Sequence, residues 1–321
     1  MALADSAGSQ EALRPFDAVM LDVGDGHWLY VEEIGRRGGI PAIFLHGGPG
    51  SGAQADHRRL FDPATHHALL FDQRGAGRSH PYLSTHANTT QHLVADIERI
   101  RAHFAIDRML VVGGSWGSTL ALAYAEQFPH RVTGLVLRAV FLGTNAEVQW
   151  AFIDGPKRFR PDLYADFVAF LPEAERKDPL SAFLARLAGP DLATHGPAAR
   201  VWHAYERALS ELKPGRTRLN LDQVNEGRVP PTAIMEAHYI SNGFFLGPGE
   251  LLANAAKLEG IPGVIVQGRY DLLCPPAAAY ALAQAWPDCR LTLIEAAGHA
   301  MSEAGVAEAM AAAVRELSQS R

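Results

Sequence analysis

Six short runs of almost unbroken apolar residues punctuate the chain: AIFL at 42–45, ALLF at 68–71, MLVV at 109–112, LVLRAV at 135–140, GVIVQ at 263–267 and LTLI at 291–294. None of them alternates apolar with polar positions. A strand with one face in water shows that alternation, whereas a parallel strand covered by helices on both faces does not. Between the runs the period changes. Residues 92–103 put Leu93, Ile97 and Ile100 on one side and Asp96, Glu98 and Arg99 on the other, the stripe of a helix lying on a sheet. Residues 118–127 read as a second helix, ended by Phe128-Pro129. Strands and helices in this order spell an α/β fold, a mostly parallel, doubly wound sheet. Residues 17–35, with Gly24-Asp25-Gly26 between two apolar runs, read as an antiparallel hairpin on its edge.

The rhythm breaks after LVLRAV. From Phe141 to about Phe245 no strand pattern appears, while 162–171, 179–187 and 197–212 read as helices. The chain is therefore expected to divide into a first part of the core at 1–140, an inserted helical cap at 141–245, and a second part of the core at 246–321. Apart from an Ala-rich C-terminal segment there is no low-complexity stretch, and no internal repeat.

The chemistry-bearing motifs sit where strands end. Gly113-Gly114-Ser115-Trp116-Gly117 follows the MLVV strand and opens a helix, the strand, sharp turn and helix context of a G-x-S-x-G nucleophile. A glycine-rich turn that merely contains a serine is the plainer alternative. A serine hydroxyl needs a base, and the base needs an acid to fix its tautomer; in this arrangement both follow the nucleophile, acid first. Asp271 lies just beyond GVIVQ and His299 just beyond LTLI, with Asp288 and Glu295 as fallback acids. An oxyanion would take one hydrogen bond from the N–H of Trp116 and a second from the loop His46-Gly47-Gly48-Pro49-Gly50, where Gly48 is favoured over Gly47.

Composition narrows the field. Of 321 residues, 48% are hydrophobic and 20% charged, enough apolar surface for a large core and no signature of disorder. A formal net charge of -6 with no basic block argues against nucleic acid or an anionic membrane as partner. Residues 1–16 lack the cationic and apolar regions of a secretory signal and no run approaches a membrane span, so a cytoplasmic location is expected. The two cysteines, Cys274 and Cys289, are expected as reduced thiols.

HGGPG at 46–50, DQRGAGRS at 72–79, NTTQHLVADIERIR at 88–101, GGSWGSTLALAYA at 113–125, GRYD at 268–271 and AGH at 297–299 together resemble the proline iminopeptidases, which are hydrolases of the α/β-hydrolase fold. The resemblance implies an intracellular serine exopeptidase without metal or other cofactor that releases N-terminal proline from small peptides. It also implies that two cap glutamates, matching Glu206 and Glu236, bind the substrate's amino terminus, and that Phe141 and the segment Trp150 to Phe152 form a wall for the proline ring. Ala151 and Arg207 depart from the family's pattern, where a tyrosine and a small residue are usual. The logic of the glutamates stands apart from resemblance, because a carboxylate in a low-dielectric pocket binds a cationic secondary ammonium. A broader esterase or amidase on the same core, and a non-catalytic binding protein, are the alternatives; Asp271, His299 and Ser115 intact together weigh against the latter. Asp72, Arg74 and Arg78 read as scaffold. The oligomeric state is open.

Overall fold

Every apolar run marks a strand. The computed structural model describes residues 14–189, 192–221 and 227–319. Its strands are β1 (Asp17–Gly24), β2 (His27–Gly35), β3 (Ile40–Leu45), β4 (His66–Phe71), β5 (Met109–Gly114), β6 (Val132–Arg138), β7 (Gly263–Gly268) and β8 (Cys289–Ile294). They form one sheet in the order β1-β2-β4-β3-β5-β6-β7-β8. The hairpin β1-β2 pairs antiparallel with itself and with β4, and the remaining pairs are parallel. The strands β4, β5 and β7 are buried at every position, which is why their sequences do not alternate. LVLRAV outruns its strand: Ala139 turns to a φ of 48°, ending β6 at Arg138.

Successive side chains of each strand enter two different cores. Ile43, Val111, Leu135 and Ile265 face one layer, which includes α1 (Thr90–His103) and α2 (Trp116–Gln127). Ala42, Leu110, Val136 and Val264 face the other, filled by Met310, Val314 and Leu317 of the C-terminal helix, Val306–Gln319. The first helix starts two residues before its apolar stripe suggested, because the Thr89 side chain caps it by accepting the His92 N–H at 3.3 Å.

The connection from β6 to β7 carries no strand among the described residues. After α3 (Asn145–Gln149) comes a single π-helical turn, Trp150–Asp154, then α4 (Gly155–Phe159), α5 (Pro161–Ala169), α6 (Pro179–Ala188), α7 (Leu192–Ser210) and α8 (Pro231–Ser241). Sequence periodicity anticipated α5, α6 and most of α7; α7 begins five residues before Pro197 and takes that proline inside the helix. Stacked rings bind the layer together. Phe167 of α5 lies 4.1 Å from Phe183 of α6 and 4.0 Å from Tyr205 of α7, and Trp202 stacks on Phe152 at 4.2 Å. Each such pair adds about 0.5–1.5 kcal/mol beyond burial.

Hydrogen bonds fasten these helices to the segments that flank the sheet. On one side Tyr239 donates to Asn88 Oδ1 at 2.9 Å and Thr90 donates to the Phe244 carbonyl at 2.5 Å. On the other, the carbonyl of Ser210, last residue of α7, accepts the N–H groups of His299 and Ala300 at 3.0 and 2.9 Å.

Candidate active site

Ser115 sits between the end of β5 and the start of α2 with φ 56° and ψ -127°. That backbone conformation is strained for a residue with a side chain and persists only where the surroundings hold it. Two glycines make the turn possible. A Cβ on Gly113 would stand 2.3 Å from the Gly117 carbonyl oxygen, and one on Gly117 would stand 2.0 Å from that of Leu45. The Ser115 N–H is held by the Arg138 carbonyl at 2.9 Å, while the Arg138 guanidinium donates to the carbonyl of His299. One residue at the tip of β6 thus ties the serine turn to the histidine loop.

His299 Nδ1 donates to the Asp271 carboxylate, at 2.9 Å from Oδ2 and 3.1 Å from Oδ1. This fixes the tautomer with Nε2 as the acceptor. Asp271 is 3% exposed and holds its orientation through the N–H groups of Leu273 and Cys274, which donate to Oδ1 at 3.0 and 2.8 Å. The fallback acids are engaged elsewhere: Asp288 accepts the Gly260 N–H at 2.7 Å and Glu295 pairs with Arg269 at 2.8 Å. The Cys274 thiol lies within hydrogen-bonding reach of the Ser115 side chain, and burial with the nearby Asp271 charge pushes its pKa well above the usual thiol range.

Two recesses meet at the serine. The outer one, about 610 Å³, is lined among others by Gly47, His57, Arg207, His299 and Met301. The inner one, about 50 Å³, is walled by Phe141, Val148, Ala151, Phe152 and Leu273, with Glu236 in its lining. Gly48, Ser115 and Glu206 border both. Glu206 on α7 lies beside Glu236 on α8, and Trp202 Nε1 donates to Glu236 Oε2. Burial and the charge of Glu206 push the Glu236 carboxyl well above the usual carboxylate range.

The Gly47 carbonyl accepts from Ser51 Oγ at 2.8 Å and faces His46 Nδ1 at 2.9 Å. Pinning that oxygen orients the whole peptide plane, so the N–H of Gly48, on its other side, is oriented too. Gly48 itself has φ 104°, a conformation suited to glycine.

Trp150 is not where the resemblance put it. It lines neither recess; its indole N–H donates to the Leu272 carbonyl at 3.0 Å and its ring packs near Phe159. Val148, Ala151 and Phe152 face the inner recess instead, a spacing of three and four that puts them on one side of the helical turn and Trp150 off it. The motif residues Asp72, Arg74 and Arg78 are occupied with structure. Asp72 binds Arg78 Nε at 2.7 Å and the Ala53 N–H at 2.7 Å, and Arg74 pairs with buried Asp96 at 2.7 Å. Sequence reasoning passed over Gln73, Arg138 and Trp202, whose partners lie far away in the chain. Among the described residues no group of three or more His, Cys, Asp or Glu side chains is placed to hold a metal ion.

The α/β hydrolase fold family model matches residues 41–305. A probable proline iminopeptidase of Leptolyngbya boryana is 42% identical over 93% of this chain and 93% of its own length. The proline iminopeptidase of Neisseria gonorrhoeae is 41% identical, covering 96% and 98%. That of Arabidopsis thaliana is 41% identical over 92% of this chain and 78% of the relative. Among solved structures, a proline iminopeptidase of Mycobacterium smegmatis superposes with a TM-score of 0.61 at 19% identity, covering 94% of this chain and 98% of that one. An esterase of Exiguobacterium antarcticum does so at 0.64 and 18%, covering 94% and 99%. Likeness of the second kind speaks to the fold alone, but the sequence identities of 41–42% extend over more than nine-tenths of this chain, and on that ground the chain is a hydrolase of the proline iminopeptidase family.

Proposed function

We propose that this hydrolase releases N-terminal proline from peptides through an acyl-enzyme on Ser115. The observation that carries the reading is the meeting of the two recesses at Gly48, Ser115 and Glu206. A proline ring in the apolar inner recess, against Phe141 and Phe152, brings its carbonyl carbon to Ser115 and its ring nitrogen to Glu206 and Glu236. A residue preceding the proline would turn its ring nitrogen into a neutral amide and leave both carboxyl groups without a cation, so cleavage is limited to the chain's first bond. The rest of the peptide extends into the outer recess.

In the first step Ser115 Oγ bonds to the carbonyl carbon and His299 Nε2 takes the hydroxyl proton. The carbonyl electron pair moves to oxygen, which accepts hydrogen bonds from the N–H groups of Gly48 and Trp116. As the C–N bond breaks, His299 returns the proton to the departing amine, leaving a prolyl ester on Ser115. Water, deprotonated by His299, then adds to the ester carbon; collapse frees proline and reprotonates Ser115. Asp271 holds His299 in the required tautomer and stabilises the imidazolium. The segment 141–245 acts as the cap that supplies both glutamates, and a cytoplasmic setting fits the two thiols, which form no disulfide among the described residues.

A panel of arylamides tests the assignment. Proline arylamide is expected to be cleaved, alanine and leucine arylamides poorly, and N-acetyl-proline arylamide not at all, since the buried carboxyl pair would face no cation. Ser115→Ala and His299→Ala should each cut kcat by about a million-fold with the fold retained. More than a tenth of the activity surviving in either variant, or ready turnover of N-acetyl-proline, would overturn it.

A further inference from the structure

Gln73 follows β4 inside a motif otherwise used for ion pairs and turns, yet it touches both halves of the proposed oxyanion hole. Its Nε2 donates to the His46 carbonyl at 2.9 Å, and its Oε1 accepts the indole N–H of Trp116 at 2.8 Å. Its own backbone N–H donates to His46 Nε2 at 3.0 Å. Gln73, His46 and Trp116 are each at most 2% exposed, so these bonds compete little with water.

The bonds form a chain with a definite direction. A backbone N–H can only donate, so His46 Nε2 is the acceptor and Nδ1 carries the ring proton. That proton goes to the Gly47 carbonyl at 2.9 Å. Burial keeps the His46 ring neutral by lowering its pKa, which preserves this tautomer. The pinned carbonyl belongs to the peptide whose N–H is that of Gly48. The carboxamide of Gln73 meanwhile spans from the carbonyl of His46 to the ring of Trp116, the residue that carries the other N–H.

We propose that Gln73 is a positioning residue whose carboxamide sets the separation and aim of the Gly48 and Trp116 N–H groups, by bridging the 46–50 loop to the serine turn. It rests on the reading of those two N–H groups as the oxyanion donors. Gln73 touches neither substrate nor reacting atoms. Its effect should therefore fall on the tetrahedral state, in which the oxygen is anionic, and not on binding of the ground state.

Kinetics on Gln73→Leu and Gln73→Glu would decide this, alongside affinities for three small ligands: proline, prolinol and prolinal. Prolinal adds the Ser115 hydroxyl across its aldehyde, with the serine proton taken by His299 and the electron pair left on oxygen, so it reports on the hole; proline and prolinol do not. Gln73→Leu is expected to lower kcat by about 100-fold, as for a small misplacement of a reacting group, with KM and the proline affinity changed less than about threefold. The prolinal affinity should fall by the same factor as kcat. Gln73→Glu guards against a variant that merely unfolds. Its protonated side chain can still donate to the His46 carbonyl and accept from Trp116, whereas its carboxylate cannot donate. Activity relative to the unaltered enzyme at the same pH should thus be highest in acid and decline as pH rises. Equal losses in kcat, proline affinity and prolinal affinity, or a pH-independent deficit in the Glu variant, would mean that Gln73 only packs. Retained kcat and prolinal binding in both variants would also overturn the proposal while leaving the donors in place. If the unaltered enzyme binds prolinal no tighter than prolinol, the donors themselves are misassigned and the proposal falls with them.

Discussion

Replacing Glu236 with glutamine separates substrate recognition from every other property of the site. The carboxyl is 4% exposed, accepts from Trp202 Nε1, and lies beside Glu206. A glutamine fits that frame: its oxygen can accept the indole N–H and its nitrogen can donate to Glu206. Only the capacity to be an anion is lost. A charge-assisted hydrogen bond to the substrate's ammonium contributes about 1.5–3 kcal/mol, so kcat/KM for proline arylamide should fall by about ten-fold to more than a hundred-fold. A neutral acyl ester without an amine should be hydrolysed as before. Stability should move the other way. Burial and Glu206 raise the Glu236 pKa, so the folded protein holds a proton that the unfolded chain releases. The resulting stability is fully present below the ordinary carboxylate pKa of about 4.3 and is lost as pH climbs from there toward the raised value. The Glu236→Gln variant has no such proton to lose. The gap in melting temperature between variant and parent should therefore widen as the buffer goes from pH 5 to 9, in favour of the variant. Calorimetry at several pH values, with steady-state kinetics on the two substrates, measures both. A variant that cleaves proline arylamide at the parental rate, or that melts lower at alkaline pH, would refute this account.

Asp271→Asn should lower kcat by about ten-thousand-fold, because an amide can leave His299 in the wrong tautomer; pre-steady-state and steady-state turnover of proline arylamide checks this. Cys274→Ser should stay active, since no thiol takes part in the chemistry, while alkylation of the parent by a maleimide should be slow at neutral pH, quicken as pH rises, and inactivate by obstruction. Inactivation that instead tracks modification of Cys289 would count against it. Gly117→Ala, whose Cβ would meet the Leu45 carbonyl oxygen at 2.0 Å, should cost about 2 kcal/mol or more in chemical denaturation and displace the serine turn.

The strands were legible because burial on both faces leaves a mark that survives in sequence: β4, β5 and β7 have no exposed position to fill with a polar residue. Ser115, Asp271 and His299 were legible for a different reason, since each stands on a loop after such a run and their order is that of a nucleophile elbow. The helical connection between β6 and β7 yielded less. Phe141 could be placed beside the site, but Trp150 could not, because only the stripe Val148, Ala151, Phe152, spaced three and four residues apart, meets the recess and Trp150 falls off that face. Gln73 and Trp202 gave no signal at all. Their partners His46 and Trp116, and Glu236, are brought to them by sheet order and helix packing, and a lone polar residue in a turn or an indole in a helix reads the same with or without such a partner.

The bonds from the Ser210 carbonyl to the His299 loop use main-chain atoms alone, so they do not depend on which side chain stands at 210. Length is another matter. Glu206 and Ser210 are one helical turn apart, one offering a carboxyl to the recess and the other a carbonyl to the histidine loop. Inserting or deleting a single residue between them would rotate one against the other by about 100°. Anyone grafting a foreign cap onto this core to change its taste in substrates would need to splice outside that turn, since a junction inside it keeps the selectivity element or the base's anchorage but not both.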